Sequence, residues 1–312
     1  MNGRHHPTAG AAERELTRVT PEVRDRLVVR FGGKVRAWCE SLPDLVGALT
    51  ARWRLDLVEA NGGGTSRVFR CRRQDTGTSA WLKLTPEPAI AREEAEALSA
   101  WAGTPSVVPL LAHDLPAGAL LLEDVKPGVP VRQLDWRLPE VAALLRDLRA
   151  PAPTPEESSA VQPLAHRVDS LFHLTGRRLA ASGVSGPLDP VVLGRARAAA
   201  LDLATSGPRA LVHGDLHPGN VLSGPGARMV AIDPRPAWGD PDFDAVDWVL
   251  GGVTTPAALE ERAEALAASV PGQSPDRVLG WCRALAALNA ALAICARRDD
   301  PETRFLIALA GG

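Results

Sequence analysis

Hydrophobic and polar positions change rhythm along the 312 residues of the chain. From about Trp53 to Val125, apolar residues come in alternation or in short runs broken by glycine, asparagine and aspartate, a pattern for strands joined by turns. The runs 54–60 (RLDLVEA) and 66–73 (SRVFRCRR) flank NGGGT, QDTG turns the chain again at 74–77, and SAWLKL follows at 79–84. A strand meander is expected there. A helix is predicted over 91–103, where AREEAEALSAWAG ends on glycine, and a buried strand over 118–125. Beyond Pro127-Gly128 the apolar spacing becomes helical, at 138–150, 166–182, 189–206, 256–270 and 276–298. This order predicts an α+β, two-lobed chain. Residues 1–125 form a small strand-rich N-terminal lobe with a flexible polar tail at 1–20, and residues 126–312 form a mainly helical C-terminal lobe. The proline-rich 150–159 reads as a surface connection, and no solenoid-type repeat is present.

One stretch interrupts the helical lobe. In LVHGDLHPGNVL (211–222), Leu211 and Val212 read as strand, while Gly214, Pro218 and Gly219 force a loop that exposes Asp215 and Asn220. MVAIDP (229–234) reads as a second buried strand ending on Asp233, so Asp215, Asn220 and Asp233 are expected at one rim. Phosphoryl transfer from a nucleotide needs such a set. One carboxylate orients and deprotonates the accepting hydroxyl, which suits Asp215, and hard oxygen ligands hold magnesium, which suits Asn220 and Asp233. The five-residue offset from Asp215 to Asn220 equals the D-x-x-x-x-N spacing of kinase catalytic loops.

The same chemistry needs a lysine on the nucleotide phosphates, itself held by a helix carboxylate. Lys83 alternates with Leu82 and Leu84 on a predicted strand, and Glu94 lies on the following helix, with Glu93 and Glu96 as rivals. The run Asn61–Thr65, with Gly62, Gly63 and Gly64, precedes both and could cover phosphates with backbone amides. Singly, each feature has an ordinary explanation: a solvated strand lysine, surface helix charge, a plain loop, or a capped turn in GDPDFD. Their occurrence together in this order outweighs those readings.

These residues resemble the aminoglycoside phosphotransferase family, with HGDLHPGNVL as catalytic loop and AIDP carrying the metal aspartate. Within it, 31–53 (FGGKVRAWCESLPDLVGALTARW), WLKL and AIDPRPAWGDPDFD are most similar to the streptomycin 6-phosphotransferase and hydroxyurea phosphotransferase branch. The resemblance implies a protein-kinase-like fold, ATP and Mg2+ as cofactors, Asp215 as catalytic base, Asn220 and Asp233 as metal ligands, and Lys83 paired with Glu94. It further implies that the backbone of Glu123, Asp124 and Val125 meets adenine, that Asp244 steadies the catalytic loop, and that His213 supports it from behind.

Composition narrows the partners. A net charge of −2 and a pI near 6.4 leave no basic surplus for nucleic acid, and the longest apolar stretches are too short for a bilayer span. Cys39, Cys71, Cys282 and Cys295 form no C-x-x-C pair, so reduced thiols and a cytoplasmic location are expected. His166 and His173, seven apart on one predicted helix face, read as packing residues. Asp244 follows Asp233 within eleven residues and no A-P-E motif follows, so a peptide platform is missing and a small-molecule acceptor is expected. A cationic antibiotic would want carboxylates around it. Candidates are Asp242, Asp247, Glu260, Glu261, Asp299 and Asp300. The stretch NAALAICARRDD from Asn289 lacks the acidic and tryptophan residues expected of the streptomycin branch, which leaves room for a basic cyclic peptide of the capreomycin or viomycin kind. Three rival readings stay open: a metal-dependent hydrolase using His213, Asp215 and His217 as H-x-D-x-H, a nucleotide-binding protein without catalysis, and a kinase for a biosynthetic small molecule.

Overall fold

A computed structural model describes residues 15–62, 66–150, 160–183, 188 and 190–311. Most of the predicted polar tail, Gly63, Gly64 and Thr65 of the glycine run, and 151–159 of the proline-rich connection lie outside these residues. The chain divides into two compact units, residues 1–99 with 108–124, and residues 100–107 with 125–312.

In the first unit, two helices precede the sheet. Helix α1 (Pro21–Phe31) starts where the Thr20 hydroxyl accepts from Val23 N, with proline at the first helical position, and α2 (Val35–Trp53) ends at Arg54 in the left-handed region, φ 53°. Five antiparallel strands follow: β1 (Leu55–Gly62), β2 (Arg67–Arg73), β3 (Ser79–Leu84), β4 (Leu110–Asp114) and β5 (Ala119–Glu123), in the order β1-β2-β3-β5-β4. Helix α3 (Pro88–Ala100) connects β3 to β4. Apolar Leu42, Val46 and Leu49 of α2 pack on Leu55, Phe69, Cys71 and Leu82 of the sheet. The central strand β3 is therefore buried almost throughout, and any polar side chain on it must find a partner.

The second unit begins with 100–107, which the sequence pattern assigned to the N-terminal lobe. Its anchors explain the difference: Trp101 is buried and its indole Nε1 donates to Leu148 O at 3.0 Å, while the Ser106 hydroxyl donates to Asp147. The unit then runs α4 (Leu138–Arg149), β6 (Gln162–Pro163), α5 (Leu164–Ser182), α6 (Pro190–Ser206), β7 (Ala210–Val212), β8 (Val221–Ser223), β9 (Met229–Ala231), β10 (Ala237–Gly239), α7 (Val246–Leu250), α8 (Pro256–Ala267), α9 (Pro275–Cys295) and α10 (Pro301–Gly311). Strand β10 pairs with β6 in parallel and with β7 antiparallel, and β8–β9 form a hairpin.

Helix α9 is the axis of this unit. By length and composition it could cross a membrane, yet 72% of its most apolar window is buried inside the fold, including Trp281, Cys282 and Leu285. Its N-terminal end ties down the segment that follows β10. Asp240, fully buried, accepts from Arg277 Nε and Nη2 at 2.8 and 2.6 Å, from Trp281 Nε1 at 2.8 Å and from Asp242 N at 3.0 Å. His166 and His173, expected to pack, are exposed on α5, whose buried stripe is Leu164, Val168, Phe172 and Thr175.

Candidate active site

On the first unit, β3 alternation turns Lys83 inward between Val68 of β2 and Leu120 of β5. Lys83 Nζ reaches Glu94 Oε1 at 2.7 Å and Oε2 at 2.6 Å, and the two side chains are only 7% and 1% exposed. Burial singles out Glu94 among the three glutamates, since Glu93 and Glu96 are partly exposed. Gly62 closes β1, whereas Gly63 and Gly64 fall outside the described residues. At the end of β5, Glu123 is exposed, and Asp124 accepts from Trp81 Nε1 at 2.8 Å and from Arg70 at 3.0 Å, a pairing that fastens the start of the connection. On the second unit, Val125 is buried and its carbonyl lies where a side chain on Gly128 would sit, so the turn there needs glycine at φ 73°.

The second unit carries the loop 213–220 between β7 and β8. Asp244 is buried and holds the start of that loop: Oδ2 accepts from His213 N at 2.7 Å and Oδ1 from Gly214 N at 2.9 Å. Burial raises its pKa to about 6, against the pull of those two amide bonds. Gly214 has φ 73°, and a Cβ there would come within 2.0 Å of Arg235 O, so the close approach of the two segments requires glycine. His213 is buried behind the loop and stacked near Trp101. Its Nδ1 accepts from Asp215 N at 3.3 Å, which leaves Nε2 to donate to Ile232 O at 3.1 Å, and burial lowers the ring to about 4. Both nitrogens are used and the ring is neutral. The H-x-D-x-H hydrolase reading fails on this point, because His213 cannot turn toward a metal shared with Asp215 and His217.

Asp215 stands partly exposed at the rim. Its Oδ1 accepts from Arg167 Nη2 at 2.9 Å, while Arg167 Nε donates to Gly214 O at 3.1 Å. Its Oδ2 accepts from Asn220 Nδ2 at 3.0 Å, and the same amide nitrogen donates to Asp215 O. With the nitrogen used in this way, the Asn220 amide oxygen is the atom left to act as a metal ligand. Ile232 N donates to Asn220 O at 2.9 Å, which sets Asp233 beside Asn220 at the end of the β8–β9 hairpin. Asp233 is held at φ 57°, a left-handed conformation tolerated by aspartate and common where a site over-determines the backbone. Two hard oxygen donors so placed fit magnesium, which takes few protein ligands and fills the rest with phosphate and water.

Arg167 escaped the sequence reading. It comes from the first turn of α5, 48 residues before its partner Asp215, and nothing local distinguishes it from a surface arginine.

The proposed acceptor carboxylates separate. Asp242 is buried, with Oδ1 bound to Arg149 at 2.9 Å and Oδ2 accepting from Ser274 N at 3.2 Å, so it is a structural group and not an acceptor contact. Asp300 starts α10: its Oδ1 accepts from the backbone and hydroxyl of Thr303, its Oδ2 accepts from Arg298, and these bonds lower it to about 2. Asp299 pairs with Arg304, and Glu260 and Glu261 lie exposed on α8. Asp247 alone of these lines a cavity with the catalytic loop, an opening of about 460 Å³ that also touches His217 and Pro218. A larger one of about 610 Å³, against α5, α6 and Ile294, has no catalytic-loop residue in its wall.

Residues 52–296 match the family described as aminoglycoside/hydroxyurea antibiotic resistance kinase. A streptomycin 6-kinase of Streptomyces glaucescens is 32% identical over 222 residues, 69% of this chain and 68% of that protein. A hydroxyurea phosphotransferase of Kitasatospora aureofaciens is 34% identical over 231 residues, 72% of this chain and 66% of that protein. Among solved structures, the choline kinase LicA of Streptococcus pneumoniae superposes with a TM-score of 0.58 at 14% identity, covering 86% of this chain and 99% of that one. A thermostable mutant of aminoglycoside phosphotransferase APH(4)-Ia, in ternary complex with ADP and hygromycin B, gives 0.53 at 16% identity, covering 85% and 96%. The two structures establish a protein-kinase-like fold, and the match over most of the chain places it in the aminoglycoside/hydroxyurea antibiotic resistance kinase family.

Proposed function

We propose that this protein transfers the γ-phosphoryl group of ATP to a hydroxyl of a small basic antibiotic and so confers resistance. Acceptors of this class include aminoglycosides of the streptomycin kind and basic cyclic peptides of the capreomycin or viomycin kind. The observation that carries the reading is the loop around Asp215. Its carboxylate is aimed by Arg167 and Asn220, its backbone is clamped by Asp244, and the bond from Ile232 N to Asn220 O pairs the start of the Asp233 segment with Asn220, which supports reading the two as metal ligands.

Asp215 takes the hydroxyl proton as the acceptor oxygen bonds to the γ-phosphorus, and the bond from that phosphorus to the β,γ-bridging oxygen breaks to release ADP. Lys83, positioned by Glu94, is the cation assigned to the nucleotide phosphates. The glycine run and the backbone of Glu123–Val125 are assigned to phosphates and adenine. Asn220 and Asp233 would hold magnesium, which when bound would neutralise the triphosphate charge. His213 stays neutral, so it orients the loop without competing for the hydroxyl proton.

The test is the mass of candidate drugs incubated with the protein and Mg-ATP. A gain of about 80 Da, one phosphoryl group, is expected on at least one compound, and Asp215→Ala should abolish it while nucleotide binding persists. Undiminished transfer by that variant would remove Asp215 from the role of base.

A further inference from the structure

The cavity beside the catalytic loop is unevenly built. His217 lines it, with Nε2 4.0 Å from Asp215 Oδ2 and a ring oriented by Gly219 N donating to Nδ1 at 3.0 Å. A molecule seated against His217 thus brings its nearest groups to the base. Asp247 lines the same cavity and feels both His217 and Asp215. It lies three residues after Asp244, one helical turn beyond the group that clamps the loop, so its place relative to Asp215 is set by the same short segment. Its carboxylate accepts from the Asn289 side chain, and burial raises its pKa; Asp215 is a second carboxylate nearby, and His217 is the nearby group that can carry positive charge. No arginine or lysine among the described residues forms an ion pair with Asp247. A half-buried carboxylate lining a cavity without an arginine or lysine partner favours a cation supplied by the ligand.

Two further lining residues differ. Arg298 donates to both Asp300 and Glu302, and Glu302 also accepts from Gly252 N at 2.8 Å, so these charged groups are already matched within the fold. The rest of the lining includes apolar Leu250, Ala293 and Leu306. Leu292 projects from the core helix α9 and is 45% exposed, a large apolar side chain left in contact with the cavity.

Resting on the phosphotransferase reading above, we propose that this cavity is the acceptor site and that it selects a hydroxylated molecule with one ammonium or guanidinium group close to the reacting hydroxyl and an apolar body. The cation sits on Asp247, oriented by Asn289, and the body covers Leu292 and its apolar neighbours. A molecule with positive charges spread over its whole length meets only one acceptor carboxylate and then Arg298.

The full-length protein with Mg-ATP is assayed against erythromycin and clindamycin as monocationic hydroxylated probes, streptomycin and kanamycin as polycationic ones, and hydroxyurea as a small uncharged one. Transfer with the highest kcat/KM to a monocationic probe is expected. Asp247→Asn, nearly isosteric, should raise KM for that probe roughly 10- to 100-fold, the range for losing one charge-assisted hydrogen bond, with a smaller change in kcat. Leu292→Arg, at an exposed position that tolerates a polar side chain, should also raise KM. Preference for streptomycin, kanamycin or hydroxyurea, or an unchanged KM in Asp247→Asn, overturns the proposed selectivity while leaving phosphotransfer intact. No phosphoryl transfer to any of the five, nor to capreomycin or viomycin, with nucleotide binding demonstrated by calorimetry, overturns the underlying reading as well.

Discussion

Lys83 and Glu94 show how a single strand position can be costly to the fold and still be retained. A lysine on a central strand loses its hydration, and an opposite charge at hydrogen-bond distance, here 2.6–2.7 Å, compensates it in an equally dry place. Such a pair adds little net stability compared with apolar packing, but removing one partner strands the other charge. Lys83→Met should therefore cost about 3–5 kcal/mol in urea unfolding. Lys83→Met combined with Glu94→Gln should recover most of that loss, while phosphotransfer stays abolished in both. If the double variant is no more stable than Lys83→Met alone, the buried glutamate charge is not the source of the cost. The lysine was legible because alternation on a strand is a local signal. Arg167 was not, because its meeting with Asp215 depends on how α5 packs on a loop far along the chain.

At the scale of elements, the loop between β7 and β8 holds two groups with opposite proton preferences. Burial lowers His213 from 6.5 to about 4 and raises Asp244 from 3.8 to about 6. Between these values the folded chain carries one proton on Asp244, whereas the unfolded chain carries one on His213. The proton count is the same, so their effects on the pH dependence of stability cancel. Removing either partner uncovers the other. In His213→Gln the folded state binds the extra proton below about pH 6, so stability should rise as pH falls, by up to about 1.4 kcal/mol per pH unit. In Asp244→Asn the unfolded state binds the extra proton below pH 6.5, so stability should fall over the same range. Urea unfolding at pH 7 and pH 5 without magnesium measures both, and parallel slopes for the two variants would defeat the account. The D-x-x-x-x-N spacing made this loop readable in advance, because its five-residue offset is set within one turn of chain. The acidic residues around it were harder. Asp240, Asp242 and Asp244 lie within five residues, yet one caps a turn and anchors α9, one pairs with Arg149, and one clamps the loop. Spacing alone does not separate those roles. Asp300, by contrast, precedes a proline and stands three before Thr303, a helix-start signal that marks it as a cap.

The chain divides into two compact units, and the strand-rich texture of the sequence falls in the first and the helical texture in the second, with 100–107 grouped with the second. Each core encloses a thiol by its own residues. Cys71 is covered by Leu55, Phe69 and Leu82 in the first unit, and Cys282 lies in the buried stripe of α9 in the second. Burial pushes both up to about 12, so at pH 8 both are protonated and inaccessible, while Cys295 is partly exposed at the end of α9. Iodoacetamide at pH 8 should therefore modify Cys295 in the folded protein and leave Cys71 and Cys282 intact, as read by peptide mass. In a urea series, the loss of protection at Cys71 reports the sheet of the first unit, and that at Cys282 reports the helical core of the second, each independently of catalysis. Modification of Cys282 in buffer at the rate of Cys295 would mean that α9 opens locally, and the rigid placement of Asp240, Asn289 and the acceptor cavity on that helix would lose its basis.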